Sequence, residues 1–348
     1  MNDRFVRACR REPVDATPVW FMRQAGRSFS AYRKLRERYG ILELAKTPDL
    51  CAEVTLMPVR ELGVDAAVLF ADIMLPLEPM GVGLRIEPDV GPIIDRPIRS
   101  AADVAALRPF DPAEVAFTLD AIRLVKGELD DAAGVIGFSG APFTLACYLI
   151  EGRPSRDFAT AKAFMYREPV AWHDLMERLS VMVVAYLRAQ VDAGADVVQL
   201  FDSWVGGLGP ADYREFVQPH VARIFAALRE VPTIHFGTGT AALLELLAEA
   251  GGDVVGLDHR VSLADAWRRV GHHRGVQGNL DAARVLAGWE ATRAGALAVL
   301  DEAAGRPGHV FNFGHGVLPE TDTDLLRRLV DLVHEQTART ETVAEVVA

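Results

Sequence analysis

The chain has 348 residues and half of them are apolar, which provides a sizeable core and excludes intrinsic disorder as its main state. Acidic residues outnumber basic ones by 48 to 37, and the net charge of −11 argues against nucleic-acid binding across the whole surface. The three cysteines, Cys9, Cys51 and Cys147, form no CxxC pair, which suits a reducing cytoplasm. Because no signal segment begins the sequence and no apolar run approaches the ~18 residues of a membrane span, we expect a soluble cytoplasmic protein without a membrane partner.

Short apolar segments alternate with longer segments of helical period along the chain. Eight of the short segments predict β-strands. These strands are predicted at 18–22, 66–70, 135–138, 196–201, 232–236, 253–257, 275–277 and 309–313. No linker rich in Ser, Gly or Pro separates two cores, so we predict one catalytic domain over residues 1–348.

The longer segments predict helices, and several carry residues that favour a helix start. The helices are predicted at 48–62, 112–129, 168–193, 211–230, 239–250, 262–271, 281–304 and 321–338. The start signals are Pro48 after Thr47, Asp111 before Pro112, Ser262 with Asp265, and Thr321 with Asp324.

Continuous apolar strands flanked by helices indicate a parallel sheet that helices cover. Eight such units predict an α/β fold, a single (β/α)₈ TIM barrel, and the chain length fits the ~250 residues of a barrel plus insertions. The main insertion is expected after strand 2, at residues 71–111, where the sequence reads as a hairpin-like excursion. A doubly wound open sheet is the alternative fold.

Catalytic residues of such barrels follow the carboxyl ends of the strands. The first predicted strand is followed by Arg23-Gln24-Ala25-Gly26-Arg27, with Arg33 and Arg36 further on, so several fixed positive charges lie near one rim. Arginine pairs bidentately with carboxylates. A solvated helical face is the alternative reading, but Gly26 and the position after a buried strand favour an anion site.

Two further polar residues follow apolar strands. Asp72 follows the second strand, where a carboxylate accepts N–H donors or stabilises positive charge on a ligand; helix capping is the alternative role. His315 lies between two glycines after the last strand, and glycine lets the backbone approach a ligand closely. The sequence therefore predicts an anion-binding mouth that also contains a carboxylate.

One loop imitates a dinucleotide-binding fingerprint. The segment Gly237-Thr-Gly239-Thr-Ala-Ala242 follows a strand, and Asp258 comes 21 residues after its first glycine. Because the match falls at the fifth strand of eight, we interpret it as an anion-friendly loop at a helix N-terminus, able to hold a carboxylate. A nicotinamide-dependent oxidoreductase remains an alternative function.

Six blocks of sequence, in order from about residue 17 to residue 321, closely resemble the uroporphyrinogen decarboxylase family. They are PVWFMRQAGR, LFADI, GFSGAPFTLACYLIEG, LFDSWVGGLGP, VQGNLD and FNFGHGVLPET, with VVGLDHR as a weaker match. The resemblance implies a (β/α)₈ barrel, a homodimer, and a carboxy-lyase of porphyrin and heme biosynthesis. This enzyme removes the carboxyl groups of the four acetate side chains of uroporphyrinogen III to give coproporphyrinogen III, with no metal or organic cofactor.

The resemblance also implies roles for individual residues. Those implied to line the substrate site are Arg23, Gln24, Ala25, Gly26, Arg27, Arg36, Asp72, Tyr148, Ser203 and His315, with Phe201 as a hydrophobic wall. Asp72 is implied to bind the pyrrole N–H groups and to stabilise a cationic intermediate. Arg23 or a bound water is a candidate proton donor for the reaction.

Zinc-dependent methyltransferases of the wider superfamily are the main functional alternative. They need thiolate ligands, typically His-x-Cys late in the barrel plus a further cysteine. The matching segment here is His235-Phe236-Gly237, and no cysteine follows Cys147. The sequence therefore predicts no metal site of that kind.

Overall fold

A computed structural model describes residues 3–26, 28–87 and 90–339 of the chain. Nine strands occur within these residues. They are β1 (Ala66–Val68), β2 (Leu84–Glu87), β3 (Gly91–Ile94), β4 (Gly134–Gly140), β5 (Val197–Asp202), β6 (Thr233–Gly237), β7 (Val254–Gly256), β8 (Gly275–Gln277) and β9 (His309–Val310). Seven of them form one parallel sheet in the order β1-β4-β5-β6-β7-β8-β9, while β2 and β3 form an antiparallel hairpin.

The seven sheet strands confirm seven of the eight predicted strands, but the prediction of a regular strand at 18–22 is wrong. That segment makes a single parallel bridge, between Val19 and Phe311. Pro18 has no N–H to donate, and the N–H of Val19 donates to the Asp65 carboxylate at 2.7 Å instead of to a neighbouring backbone. The segment still reaches both edges of the sheet, because the N–H of Phe311 donates to the Pro18 carbonyl at 2.8 Å and the N–H of Asp65 donates to the Val19 carbonyl at 2.8 Å.

The described residues contain sixteen α-helices, most of which cover the outer face of the sheet. They are α1 (Arg4–Cys9), α2 (Ser30–Arg36), α3 (Ile41–Lys46), α4 (Pro48–Leu62), α5 (Ala101–Ala105), α6 (Ala116–Leu129), α7 (Pro142–Glu151), α8 (Ala159–Arg167), α9 (Pro169–Asp192), α10 (Pro210–Phe216), α11 (Gln218–Ala226), α12 (Leu244–Ala250), α13 (Leu263–Val270), α14 (Ala283–Leu286), α15 (Trp289–Ala303) and α16 (Thr323–Thr337). Three short 3₁₀ turns accompany them, at Leu75–Leu77, Pro112–Val115 and Val205–Gly207. Within the described ranges, no helix is both long enough and apolar enough to cross a membrane.

The predicted helices are confirmed at α4, α6, α9, α13 and α16. Of the other three, the helix predicted at 239–250 begins only at Leu244, as α12, and the remaining two divide. The segment 211–230 divides into α10 and α11 at Val217, two residues before Pro219. The segment 281–304 divides at Gly288, whose φ of +96° is incompatible with a continuous helix. The first turn of α16 is capped by the side chain of Asp322, not by the predicted Thr321.

The residues between β1 and β4 leave the main sheet. The β2–β3 hairpin lies here, followed by α5. The N–H of Ile94 donates to the Gly152 carbonyl at 2.9 Å, and the N–H of Ile98 donates to the Leu149 carbonyl at 2.9 Å. These bonds dock the excursion onto the end of α7.

The inner face of the sheet combines aromatic rings with a short polar chain. Phe201 packs edge-on between Phe138 and Phe236, at centroid distances of 5.4 and 5.9 Å. The indole of Trp20 donates to Gln277 at 2.9 Å, and Gln277 donates to Gln199 at 3.1 Å. These two hydrogen bonds link Trp20, Gln277 and Gln199 across the interior of the sheet, and the Nε2 of Gln199 has no partner within the described residues.

The buried carboxylate of Asp65 joins four separate parts of the chain. Besides the Val19 N–H, it accepts from Nη1 of Arg4 in α1 at 2.7 Å and contacts Nε2 of His334 in α16 at 2.8 Å. Asp65 itself directly precedes β1 and is 1% exposed. A carboxylate at this depth is stabilised only when it is paired and hydrogen-bonded.

We expect Asp65→Ala to lower the free energy of unfolding by about 3 to 5 kcal/mol, because removal of one partner leaves the others uncompensated in a buried site. The measurement is urea denaturation at neutral pH. Asp174→Ala is the matched control, since Asp174 pairs with Arg178 on the exposed surface and should cost under about 1 kcal/mol. Equal losses for the two variants would contradict the role given to Asp65.

Candidate active site

Three of the predicted site residues meet at the carboxyl ends of the strands. Asp72 follows β1, Tyr148 lies on α7 after β4, and Arg23 follows the Val19 bridge. The charges of both Asp72 and Arg23 act on the Tyr148 phenol, and the charge of Arg23 acts on Asp72. The structure therefore brings together the cation, the carboxyl and the phenol that the sequence singled out separately.

The Asp72 carboxyl is held by its own loop. Oδ1 accepts from the N–H of Met74 at 2.8 Å, at the start of the 3₁₀ turn. Burial raises the pKa of Asp72 above its ordinary value, while the Met74 hydrogen bond and the charge of Arg23 oppose that shift. A cation or an N–H donor brought to this carboxyl would stabilise its ionised form further.

Tyr148 lies against an aromatic stack that the sequence did not identify as part of the site. Its ring is 3.9 Å from that of Trp204, which also stacks on Phe158 at 4.5 Å. Burial raises the pKa of the Tyr148 phenol well above its usual range, and the nearby Asp72 charge raises it further. The phenol is therefore a neutral hydrogen-bonding group at working pH. Trp204 belongs to the FDSW block, but its contact with Tyr148 joins two segments that are distant in sequence.

Arg23 occupies a turn that the following residue stabilises. Its φ is +59°, in the left-handed region that non-glycine residues seldom adopt, and its side chain is exposed. The amide of Gln24 accepts from the N–H of Phe21 and donates to the Ala66 carbonyl, both at 2.8 Å. The Gln24 side chain is thus committed to joining the turn to the start of β1.

The rest of the arginine-rich block is only partly described. Arg27 lies outside the described residues. Ala25 is half-buried, and Gly26 has a φ of +100° with the ring of Tyr32 at 3.2 Å from the place of an added Cβ, so only glycine fits there. Arg36 is exposed near the end of α2, where Nη1 donates to the Tyr39 carbonyl at 2.7 Å.

The space beside the two glycines that flank His315 is filled by other parts of the chain and not by a ligand. A Cβ at Gly314 would lie 2.1 Å from the backbone nitrogen of His259. A Cβ at Gly316 would lie 2.5 Å from Cδ of Arg23. The loop therefore packs directly beside Arg23, with the N–H of Val317 donating to the Met22 carbonyl at 2.8 Å, and this places the exposed His315 near the same mouth.

Ser203 and Phe201 come from the end of β5. Phe201 is half-buried within the ring cluster on the inner face, and Ser203 is half-buried just beyond the strand. The Ser203 carbonyl accepts from the hydroxyl of Thr238 in the next loop. Because Trp204 stacks on Tyr148, Ser203 lies beside the aromatic stack.

The glycine-rich loop after β6 does not form a dinucleotide site. The following helix, α12, begins at Leu244 and not at 239 as predicted. The N–H of Gly239 donates to the Asp258 carboxylate, which Arg260 also contacts at 3.2 Å. The loop does bind a carboxylate, but that carboxylate belongs to Asp258 of the same chain. Asp258 is therefore not available to bind a ribose. These contacts argue against the nicotinamide alternative.

A family model described as "Uroporphyrinogen decarboxylase (URO-D)" matches residues 1–336. The chain belongs to the uroporphyrinogen decarboxylase family. Similar proteins named "Uroporphyrinogen decarboxylase" come from Roseiflexus sp. and Streptomyces coelicolor. The first is 55% identical over 345 residues, covering 97% of this chain and 99% of the relative. The second is 56% identical over 337 residues, covering 96% of this chain and 95% of the relative.

The fold also resembles solved structures with other names. A methyltransferase from Methanosarcina mazei has a TM-score of 0.81 at 20% identity and covers 96% of this chain and 98% of its own. At that identity the likeness concerns the fold alone. In this member of the decarboxylase family, His235 is fully buried and contacts the Leu247 carbonyl at 3.4 Å. Among the described residues, no group of three or more His, Cys, Asp or Glu side chains is arranged to hold a metal ion.

We expect Gly314→Ala to lower the free energy of unfolding by about 3 kcal/mol or more, because the added methyl group meets backbone that cannot move aside easily. Urea denaturation measures the change. Gly127→Ala is the control: Gly127 lies within α6 with nothing within 4 Å of an added Cβ, so that variant should gain about 0.5 to 1 kcal/mol. A Gly314→Ala protein as stable as the parent would contradict the packing described for this loop.

Proposed function

We propose that this chain catalyses the decarboxylation of the four acetate side chains of uroporphyrinogen III to give coproporphyrinogen III, a step of porphyrin and heme biosynthesis. The observation that carries the proposal is the meeting of Arg23, Asp72 and Tyr148 at one mouth in a chain of this family. The substrate has carboxylates around a ring and pyrrole N–H groups at its centre. Rim arginines and one central carboxyl complement that distribution of charge.

The proposed architecture is a single (β/α)₈ barrel in one domain. In this arrangement the segment 18–22 takes the place of a strand, and residues 71–111 form the insertion after strand 2. Hydrogen bonds donated by the N–H groups of Phe311 and Asp65 to the carbonyls of Pro18 and Val19 support this closure between β9 and β1. The likeness to the Methanosarcina mazei structure is consistent with such a fold.

The proposed reaction begins with transfer of a proton to the pyrrole carbon next to the acetate-bearing position, which makes the ring cationic. The bond between the acetate methylene and its carboxyl group then breaks, CO₂ leaves, and the electron pair neutralises the ring. A second proton goes to the methylene and the ring proton is released, so each acetate consumes one proton and becomes a methyl group. The Asp72 carboxylate would stabilise the cationic ring more than the neutral one, which lowers the barrier.

The remaining residues have binding roles in this proposal. Arg23, with Arg27 and Arg36 from the same segment, would bind substrate carboxylates. Tyr148, Ser203 and His315 would contact the substrate, with Phe201 as an apolar wall and the turn formed by Gln24, Ala25 and Gly26 shaping the rim. Arg23 or a bound water would deliver the proton, and the chemistry proposed needs no metal or organic cofactor.

The function is tested by anaerobic incubation of the purified protein with uroporphyrinogen III, followed by oxidation and chromatographic counting of carboxyl groups. The eight-carboxylate substrate should become a four-carboxylate product without added metal or cofactor. Unchanged substrate in the presence of folded protein would refute the proposed activity. A product retaining more than four carboxylates would refute the assignment of all four acetates.

For the central carboxyl, Asp72→Asn should lose most of the turnover, of order ~2.7 to 4 kcal/mol in activation free energy, because the amide keeps the shape and loses the charge. The exposed Asp120→Asn is the control and should retain parental turnover. Because burial raises the pKa of Asp72, its ionised form is lost at a higher pH than that of an exposed aspartate as the pH falls. The turnover of the parent enzyme should therefore decline as the pH falls and Asp72 becomes protonated. A folded Asp72→Asn variant with near-parental rate would remove Asp72 from the mechanism.

The proposed assembly is a homodimer, because a mouth that screens a large planar substrate from water gains by facing a second subunit. Sedimentation measurements at working concentrations should therefore give a species of twice the 38.0 kDa chain mass. A single species at the chain mass throughout that range would overturn this assembly.

A further inference from the structure

The carboxyl of Asp202 lies at the end of β5, on the side of the strand opposite to Phe201 and Ser203. It is fully buried between the sheet and the helices. One oxygen accepts from the Thr144 hydroxyl at 2.9 Å, and the other has no hydrogen-bond partner within the described residues. Burial raises the pKa of Asp202 to about 7. An incompletely paired carboxyl at this depth costs folding free energy, which an apolar side chain would not.

Thr144 connects this buried carboxyl to the mouth. It lies in the first turn of α7, and its hydroxyl oxygen also accepts from the N–H of Trp204 at 3.3 Å. Tyr148 is one helical turn further on, so it shares a face of α7 with Thr144. The ring of Trp204 returns to stack on Tyr148 at 3.9 Å. The two hydrogen bonds and the ring contact thus form a closed connection between α7 and the end of β5.

That connection joins two separate elements that supply proposed substrate contacts. Tyr148 belongs to α7, and Ser203 lies between Asp202 and Trp204 on the segment that leaves β5. A shift of α7 along the strand end would move the Tyr148 phenol relative to Ser203. Displacements of about 1 Å in such contacts can reduce turnover by as much as a hundredfold.

We propose that Asp202 and Thr144 are positioning residues that hold Tyr148 and Ser203 in register for decarboxylation. This inference rests on the proposed function. Neither residue touches the substrate in this account: Asp202 fixes the Thr144 hydroxyl, Thr144 fixes the Trp204 backbone, and Trp204 supports the Tyr148 ring. The hydrogen bond to Thr144 gives the Asp202 carboxyl a role that offsets the folding free energy lost by burying it.

The first test is a pair of variants at Thr144. Thr144→Val keeps the shape and removes the hydroxyl, and kcat should fall about tenfold or more, while KM changes less than about threefold because the carboxylate-binding arginines lie on another segment. Thr144→Ser restores the hydroxyl and should return kcat to within about threefold of the parent. Parental kcat in Thr144→Val, or no recovery in Thr144→Ser, would overturn the proposal.

The second test asks whether Asp202 and Thr144 act together. Asp202→Asn keeps an acceptor for the Thr144 hydroxyl and should retain most of kcat, whereas Asp202→Leu removes it and should lose as much as Thr144→Val. The Asp202→Leu/Thr144→Val double variant should lose no more than either single variant, since both remove one connection. Multiplicative losses would show that the residues act independently and would overturn the proposal.

A spectroscopic measurement separates this inference from the proposed function. The fluorescence of Trp204, obtained by subtracting the emission of a Trp204→Phe protein, should change in Thr144→Val and return in Thr144→Ser. If the parent protein failed to decarboxylate uroporphyrinogen, the proposed function would fail, and the same emission would still report the connection. Unchanged Trp204 emission in Thr144→Val would refute the connection whatever the enzyme does.

Discussion

The position of Arg23 relative to Asp72 depends on one buried carboxylate. Arg23 is carried by the irregular segment at 18–22 and Asp72 follows β1, and few regular strand bonds join these two elements. Asp65 supplies the missing attachment, because its carboxylate accepts the Val19 N–H while Arg4 and His334 bind it from α1 and α16. Gln24 adds a second attachment through Ala66. The distance between Arg23 and Asp72 is therefore set by side-chain hydrogen bonds in a region where strand pairing is sparse.

Buried polar side chains complete the sheet in other places as well. The Gln190 amide of α9 accepts from the N–H of Phe138 at 2.8 Å and donates to its carbonyl at 2.9 Å, in the manner of a neighbouring strand. Asn312 accepts from the N–H of Met22 at 3.0 Å. Amide side chains offer a donor and an acceptor, so they satisfy backbone groups where a bend or a gap interrupts strand pairing. The hydrogen bonds of Gln190 and Asn312 thus help to fix the strand ends near which Arg23, Asp72 and Tyr148 lie.

The sequence predicted the regular parts of this fold and missed those that depend on distant contacts. Seven strands follow from short apolar runs, and α4 and α13 from clear start signals. The strand at 18–22 failed because Asp65 takes a hydrogen bond that local pattern assigns to a neighbour. In the site, Asp72 was visible because a carboxylate after an apolar strand is unusual. The contact between Trp204 and Tyr148 could not be predicted, because it joins α7 to the end of β5 and neither segment alone indicates it.

The pairing of Met22 with Asn312, 290 positions apart, has a consequence for the order of folding. On the ribosome, the arginine-rich turn emerges long before its partners, which are the backbone groups of Phe311 and Val317 and the side-chain amide of Asn312. Contacts of such sequence separation form late because a long loop must close first. The nascent chain therefore carries the arginine-rich turn without these partners until the residues after β9 are released, and the packing around Arg23 is completed only then.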